Sequence, residues 1–241
     1  MTKRILVTGS EGRIGSIVSQ HLETVGHEVI HFDLPEYDAR QQHQITETIR
    51  TGGAQVVIHL ALGALPTTDD LRDQRSPEDK LMNKNVVAAA RESGLGPRLI
   101  LASSVHADRF QDLVDQRLAG ARVSLIHPDS PRATFDELTP YGQYKRLMET
   151  KARQYANLHS AGAICIRFGA VEVEEDAPGV PNDFAVRLEH RDLLSVMDRT
   201  LEIENIPGGF AAFYAVSLSE FNVHSLANTI GWEPYGTAPG R

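Results

Sequence analysis

The chain is short of several things, and each shortage narrows what it can be. Among its 241 residues there is one cysteine, Cys165. That excludes an internal disulfide and any zinc site built from paired cysteines. Cys165 lies in the apolar run from Ala163 to Ile166, where a thiol reads as a small buried hydrophobe. There is no run of basic residues, the formal net charge is −8 and the pI is about 5.7. Neither nucleic acid nor an anionic membrane surface is expected as a partner of so acidic a chain. No apolar stretch approaches the ~20 residues a membrane helix needs. The N-terminus runs straight into an apolar strand, so no signal peptide is expected and the expected location is the cytoplasm. Internal repeats and low-complexity tracts are also missing. Tryptophan occurs once, at Trp232, and reads as a packing anchor.

What is present starts with a glycine series. Ile5 to Val7 are aliphatic without alternation, the pattern of a buried parallel strand. Gly9, Gly12 and Gly15 follow at once. From Ile14 to Val25 the apolar residues Ile14, Ile17, Val18, Leu22 and Val25 recur at helical spacing. The glycines therefore sit at a strand-to-helix turn, where backbone N–H groups and a helix N-terminus can hold a phosphate. Gly9 permits the tight turn, Gly12 lets a pyrophosphate approach, and Gly15 lets helix and strand close on each other. A second strand, His27 to Phe32, ends in Asp33. A carboxylate there accepts hydrogen bonds from ribose hydroxyls and repels a 2′-phosphate, and Leu34 rather than an arginine follows it. The expected cofactor is NAD rather than NADP.

Strand-like and helix-like stretches alternate along the rest of the chain. Strands are expected at Gln55 to Leu60, Arg98 to Ala102, Ala163 to Phe168 and Phe210 to Val216. Helices are expected at Leu81 to Ser93, Gln143 to Ser160 and, shorter, Val223 to Ile230. The order implies an α/β fold: a doubly wound, Rossmann-type parallel sheet with helices on both faces. At 41% hydrophobic residues the chain can fill the core of one large domain. We expect a single domain, with residues 1–165 mainly binding NAD and residues 166–241 forming a small substrate lobe. Two proline-containing stretches, Pro128 to Pro140 and Glu172 to Asn182, border strand ends and are candidates for lining a substrate pocket. The acidic cluster Glu172, Glu174, Glu175 and Asp176 reads first as a solvated loop.

Tyr141 and Lys145 stand four residues apart, on one face of the expected long helix. Ser103 and Ser104 close the fourth strand, at the carboxyl edge of the sheet. Oxidising an alcohol requires removal of its hydroxyl proton as hydride leaves carbon. A free tyrosine, with a pKa of about 10, is a weak base at neutral pH. A neighbouring ammonium and an oxidised nicotinamide favour its phenolate, and a serine hydroxyl can hold the substrate oxygen beside it. His59, before a strand end, reads as structural. His190 and Asp192 read equally as substrate contacts or as hydrogen-bonding groups at a helix start.

These motifs together identify a family resemblance along nearly the whole chain. Thr8-Gly9-x-x-Gly12-x-x-Gly15, Asp33, Asp38-Ala39, His59-Leu60-Ala61, Asn85-Val86, Ser103-Ser104, Tyr141-Gly142-x-x-Lys145 with Glu149, and Arg167-Phe168-Gly169 resemble the extended short-chain dehydrogenase/reductases. That group includes the sugar-nucleotide epimerases and dehydratases. The resemblance implies Ser104, Tyr141 and Lys145 as the catalytic set. It implies NAD contacts from Gly9, Gly12, Arg13, Ile14 and Gly15, and from Asp33, Asp38 and Ala39 near the adenosine. Leu60 and Ala61 then lie near the middle of the cofactor and Asn85 on the helix packed behind. Ser103, Tyr141, Lys145 and Phe168 fall toward the nicotinamide. No metal is implied.

Within that group the likeness is to uronate dehydrogenases and related NAD-dependent sugar dehydrogenases, which oxidise the anomeric hydroxyl of a cyclic sugar to a lactone. It is carried by Ala102-Ser103-Ser104-x-His106, Glu189-His190-Arg191-Asp192-Leu193 and Ile230-Gly231-Trp232-Glu233-Pro234. Ser104, His106, Ala170 and Arg187 are the implied substrate contacts. The chain departs from that branch at Val105, where Asn is usual, at Ala170, where a serine is usual, and at Asn182, near the place of a carboxylate-gripping arginine. Arg187 and Arg132 are the candidates to replace that arginine. The expected activity is oxidation of a small sugar or sugar acid, and the expected partners are that carbohydrate and, as an option, a second copy of the chain in a homodimer. A nucleotide-sugar epimerase or dehydratase and an NAD-sensing regulator are the competing readings. Few residues after Lys145 to grip a diphosphate, and Val105-His106 in place of an acid pair, argue against the first. The intact Ser, Tyr and Lys argue against the second.

Overall fold

The computed structural model describes residues 1–63, 77–172 and 185–235. Six strands form one parallel sheet: β1 (Arg4–Thr8), β2 (Glu28–Phe32), β3 (Val56–His59), β4 (Arg98–Ser104), β5 (Ala163–Phe168) and β6 (Phe210–Ala215). Their spatial order is β2-β1-β3-β4-β5-β6, and every pairing is parallel. The chain steps outward from β1 to β2, then crosses back to the far side of β1. The order thus reverses between β1 and β3, and the carboxyl ends part there to leave a crevice.

The aliphatic runs are buried on both faces because alternate side chains serve different layers. Ile5 and Val7 of β1, Ile100 of β4 and Ile164 and Ile166 of β5 join one core. Helices α1 (Arg13–Thr24) and α6 (His190–Glu202) cover it through Val18, Leu22, Leu193, Val196 and Met197. Leu6, Leu99, Leu101, Ala163 and Cys165 point the other way. There they meet α2 (Gln42–Gly52), α3 (Pro77–Glu92) and α5 (Pro140–Ala156), which supply Ile45, Ile49, Val86, Met148 and Tyr155. Cys165 is fully buried, as its setting predicts. A third cluster, with Val105, Phe110, Val114, Ile126 and Tyr214, lies under the end of β4 and includes residues of α4 (Gln111–Leu118). No helix among the described residues is long and apolar enough to cross a membrane.

The expected strands match in place. The long helix begins three residues earlier than its apolar period suggests, because Pro140 fixes the first helical φ and the Thr139 hydroxyl accepts from Gly142 N–H at 3.2 Å. The short helix expected over Val223 to Ile230 is not there. Ile126 N–H donates to Val223 O at 2.8 Å and Ser225 N–H to Ile126 O at 2.9 Å, which draws the segment out beside residue 126. Val223 and Ile230 are buried as an extended chain, so their spacing imitates a helix face. Trp232 anchors the segment that follows: it is buried against Phe213 and its indole N–H donates to Ser195 Oγ at 3.0 Å.

Candidate active site

A cavity of about 690 Å³ follows the crevice from the end of β2 to the end of β5. Its first wall is the glycine turn. Gly9 has φ +74°, and a Cβ on it would lie 2.6 Å from Ala61 Cα, so the turn rests directly on the backbone after β3. A Cβ on Gly15 would overlap the Gly9 carbonyl oxygen, so helix α1 starts in backbone contact with the turn. Gly12, Arg13, Ile14 and Gly15 line the cavity at this helix N-terminus. Such a bare backbone cradle fits a pyrophosphate. Asp33 lies beside it. Its carboxylate accepts from Glu11 N–H and Leu34 N–H, each at 2.8 Å, which fastens the end of β2 to the glycine turn. Its oxygens keep lone pairs for ribose hydroxyls.

Asp38 and Ala39 line the same end, together with Tyr37, whose ring stacks on Phe32 at 5.0 Å. Asn85 acts from outside the wall: its amide donates to Ala39 O at 3.2 Å and Arg40 O at 2.8 Å and holds the 39–40 turn in place. Arg40 and Glu78, which no motif marks, also line this end. Arg40 Nε lies 2.8 and 2.9 Å from the two Asp38 oxygens, and its Nη1 lies 2.8 Å from Glu78 Oε1. The hydrogen bond from Arg40 holds the Asp38 carboxyl below the usual carboxylate range.

Leu60 and Ala61 form the middle of the floor. His59 beneath them is structural, as expected: buried, with Nδ1 2.7 Å from Thr8 Oγ1 and Nε2 3.1 Å from Asn83 Oδ1. Burial pushes its imidazole down to about 3, with the nearby Lys145 charge acting in the same direction.

At the far end Ser103, Ser104, Tyr141 and Lys145 share the cavity with Phe168 and Ala170. The chain brings them together by close packing: a Cβ on Gly142 would overlap the carbonyl oxygen of His106, so the first turn of α5 sits on the 3-10 turn Val105–Ala107. Lys145 Nζ donates to Ala102 O at 2.6 Å and lies 5.4 Å from the centre of the Tyr141 ring. The Ser104 hydroxyl accepts from His106 N–H at 3.2 Å. The His106 ring is exposed at the cavity, 5.9 Å from Tyr141 and 5.2 Å from Phe110.

Behind this set runs a buried ionic network. Arg167 grips Glu149 in a two-pronged pair at 2.9 and 2.8 Å, and the Ser103 hydroxyl donates to Glu149 Oε1 at 2.6 Å. Tyr141, Lys145 and Glu149 follow one another along one face of α5, so the pair fixes that face against β4 and β5.

The arginines named for a substrate carboxylate do not line the cavity. Arg187 pairs by its backbone beside Ala170, and Val186 takes the place on the wall. Arg132 is forked onto Asp112, both contacts at 2.9 Å. Among the described residues the arginines on the wall are Arg13, whose Nη1 donates to Val171 O at 3.3 Å, and Arg40, beside Asp38. Asn182 and most of the acidic cluster lie outside the described residues. Glu172 lines the cavity, and His190 Nε2 lies 2.9 Å from its carbonyl oxygen. Asp192 is fully buried, hydrogen-bonded to Ser217 Oγ and accepting from Tyr235 N–H at 2.7 Å; burial raises its carboxyl. His190 and Asp192 thus tie neighbouring segments together and do not face the cavity.

Comparison with known proteins agrees with this geometry. No curated protein sequence matches the chain. Among solved structures it is similar to a mutated uronate dehydrogenase, with 25% identity over 98% of this chain and 82% of that one, and a TM-score of 0.75. A glucuronic acid dehydrogenase from Chromohalobacter salexigens matches at 22% identity, covering 99% and 86% of the two chains, with a TM-score of 0.76. A UDP-glucose 4-epimerase from Thermus thermophilus, solved in complex with NAD, matches at 18% over 89% and 78%, with a TM-score of 0.62. The family model that matches spans residues 5–188, and with the glycine turn, Asp33 and the residues lining the cavity all inside that span, the chain belongs to the NAD dependent epimerase/dehydratase family.

Proposed function

We propose that this protein is an NAD-dependent dehydrogenase that oxidises a hydroxyl of a small sugar, with the anomeric carbon as the preferred position. The observation that carries the reading is the sharing of one cavity by Ser104, Tyr141 and Lys145 with the glycine turn and Asp33. NAD, when bound, supplies the hydride acceptor. The glycine turn and the start of α1 would hold its pyrophosphate, and Asp33 would hold the adenosine ribose. The Ser104 hydroxyl donates to the substrate oxygen. Tyr141, as phenolate, takes the hydroxyl proton as the carbon loses hydride, so a carbonyl forms and the proton rests on the tyrosine oxygen. The Lys145 ammonium, fixed by Ala102 O, puts positive charge 5.4 Å from the centre of the Tyr141 ring. Lys145 would also hold the nicotinamide ribose.

A neutral sugar is favoured over a uronate. The wall near Ser104 and Tyr141 is made of Val105, Phe168, Gly169, Ala170 and Val186, with His106 at its edge. Arg187 and Arg132, the candidates to grip a carboxylate, do not line the cavity, and Arg13, which does, donates its Nη1 to the Val171 carbonyl at 3.3 Å, while Arg132 is neutralised by Asp112. The likeness to uronate and glucuronic acid dehydrogenases supports the reaction type, and the bland wall supports a shifted substrate. The test is NADH production by purified protein with NAD and a panel of neutral aldoses, uronates, polyols and a nucleotide sugar. Neutral aldoses are expected to be oxidised, uronates poorly, and the nucleotide sugar neither oxidised nor epimerised. Turnover of the nucleotide sugar alone would move the protein to the epimerase reading.

A further inference from the structure

An arginine near the adenosine end of a dinucleotide cavity ordinarily favours NADP, because a guanidinium fork matches a 2′-phosphate. Arg40 stands there, on the wall shared with Asp33, Leu34 and Asp38. Yet each of its three nitrogens already faces a carboxylate. Nε is 2.8 and 2.9 Å from the Asp38 oxygens, Nη2 is 2.8 Å from Asp38 Oδ2, and Nη1 is 2.8 Å from Glu78 Oε1. The Asp38 contact is the side-on fork that a phosphate would need. Asp38 is itself anchored through its backbone, whose N–H donates to Gln44 Oε1 at 2.7 Å. Glu78 comes from α3, on the opposite side of the turn. Asn85, also from α3, grips the Arg40 carbonyl oxygen at 2.8 Å. The guanidinium is thus clamped from two elements. With Asp33, Asp38 and Glu78 against one arginine, the local charge stays negative.

We propose that Arg40 is a masked phosphate-binding arginine, and that Asp38 and Glu78 together set cofactor choice by occupying its guanidinium fork. The inference rests on the reading that this end of the cavity takes the adenosine of a dinucleotide. It assigns selectivity to three residues beyond Asp33. Two acids far apart in the sequence act on one cation between them. A freed Arg40 offers its Nε–Nη2 edge to a 2′-phosphate, whereas in the clamped one Asp38 occupies that edge and Glu78 takes an N–H of Nη1.

The test is the ratio of NADP to NAD dissociation constants, read by titration of the purified chain. In the double variant Asp38→Asn with Glu78→Gln, the ratio is expected to move toward NADP by about tenfold or more. Adding Arg40→Ala to that double variant is expected to abolish the gain. Glu78 has a side chain 45% exposed, so the single variant Glu78→Gln keeps the fold and is expected to give a smaller shift in the same direction. An unchanged ratio in both the single and the double variant would overturn the proposal. A gain that survives Arg40→Ala would also overturn it, since removal of negative charge would then be the whole effect. Wild-type chain that binds neither dinucleotide would instead sink the underlying assignment of this cavity end.

Discussion

At the glycine turn the cavity wall is backbone packed on backbone, whereas near Ser104 it is side chain. Gly9 rests on Ala61 and Gly15 on Gly9 with no space for even one added carbon. Near Ser104 the shape comes from the side chains of Val105, Phe168, Ala170 and Val186. The charged groups differ in the same way. Arg40 and Asp38 pair at the exposed rim of one end, while Arg167 and Glu149 pair in the interior behind the other. A backbone cradle fits a phosphate shared by a whole family of proteins. A side-chain wall on a rigid ionic frame allows the substrate to vary while the reacting groups stay in place.

The largest effect that sharpens this contrast is expected from Gly15→Ala. Its methyl group must displace α1 from the turn, so NAD affinity should fall by about 10³-fold or more, measured by titration. Gly12→Ala, whose Cβ would lie 3.2 Å from the same oxygen, is the control and should lose far less. Equal losses would mean that the cradle is not set by backbone contact. Behind the substrate end, Glu149→Gln leaves the Arg167 charge buried without its counter-charge. Chemical denaturation should report a loss of about 3 kcal/mol or more. A change below about 1 kcal/mol would show that the ionic frame does not hold α5.

Tyr141→Phe removes the oxygen and keeps the ring. Turnover should fall by about 10²-fold or more while NAD affinity stays nearly constant. Near-normal turnover would remove Tyr141 as the base. A last effect concerns pH, and it has two buried reporters. Burial pushes both His59 and His224 down to about 3. In the unfolded chain they titrate near the ordinary value of about 6.5, so acid protonates the unfolded state first. The stability they contribute is present above about pH 6.5 and is lost as pH falls toward about 3. By about pH 5 each costs about 2 kcal/mol. Thermal melts from about pH 7 down to about pH 5 should show the decline, and His224→Gln should remove about half of it. An unchanged slope would show that His224 is protonated without penalty in the fold.

The dinucleotide end was legible in the sequence because its signals are local. Three glycines, the acid after β2 and the alternation of strand and helix lie within a few residues of their partners. Tyr141 and Lys145 were legible for the same reason, being one helical turn apart. What escaped notice depends on distant pairing. Arg40 carries no motif, and only its contact with Glu78 on α3 gives it a part in the site. Arg132 looks like a spare cation until Asp112 is found on it. Arg187 lies next to Ala170, yet it is Val186 that reaches the wall. The mistaken helix at Val223 to Ile230 has the same cause, since hydrogen bonds to Ile126 override an apolar spacing that is helical by coincidence.

The bond from Glu11 N–H to Asp33 has a kinetic consequence. The carboxylate proposed to recognise ribose also closes the glycine turn. Little ordering of the turn is then left for the moment of encounter, so collision rather than loop folding sets the rate at which NAD enters. On the proposed reading, Asp33 is at once a recognition group and a latch set before its ligand arrives.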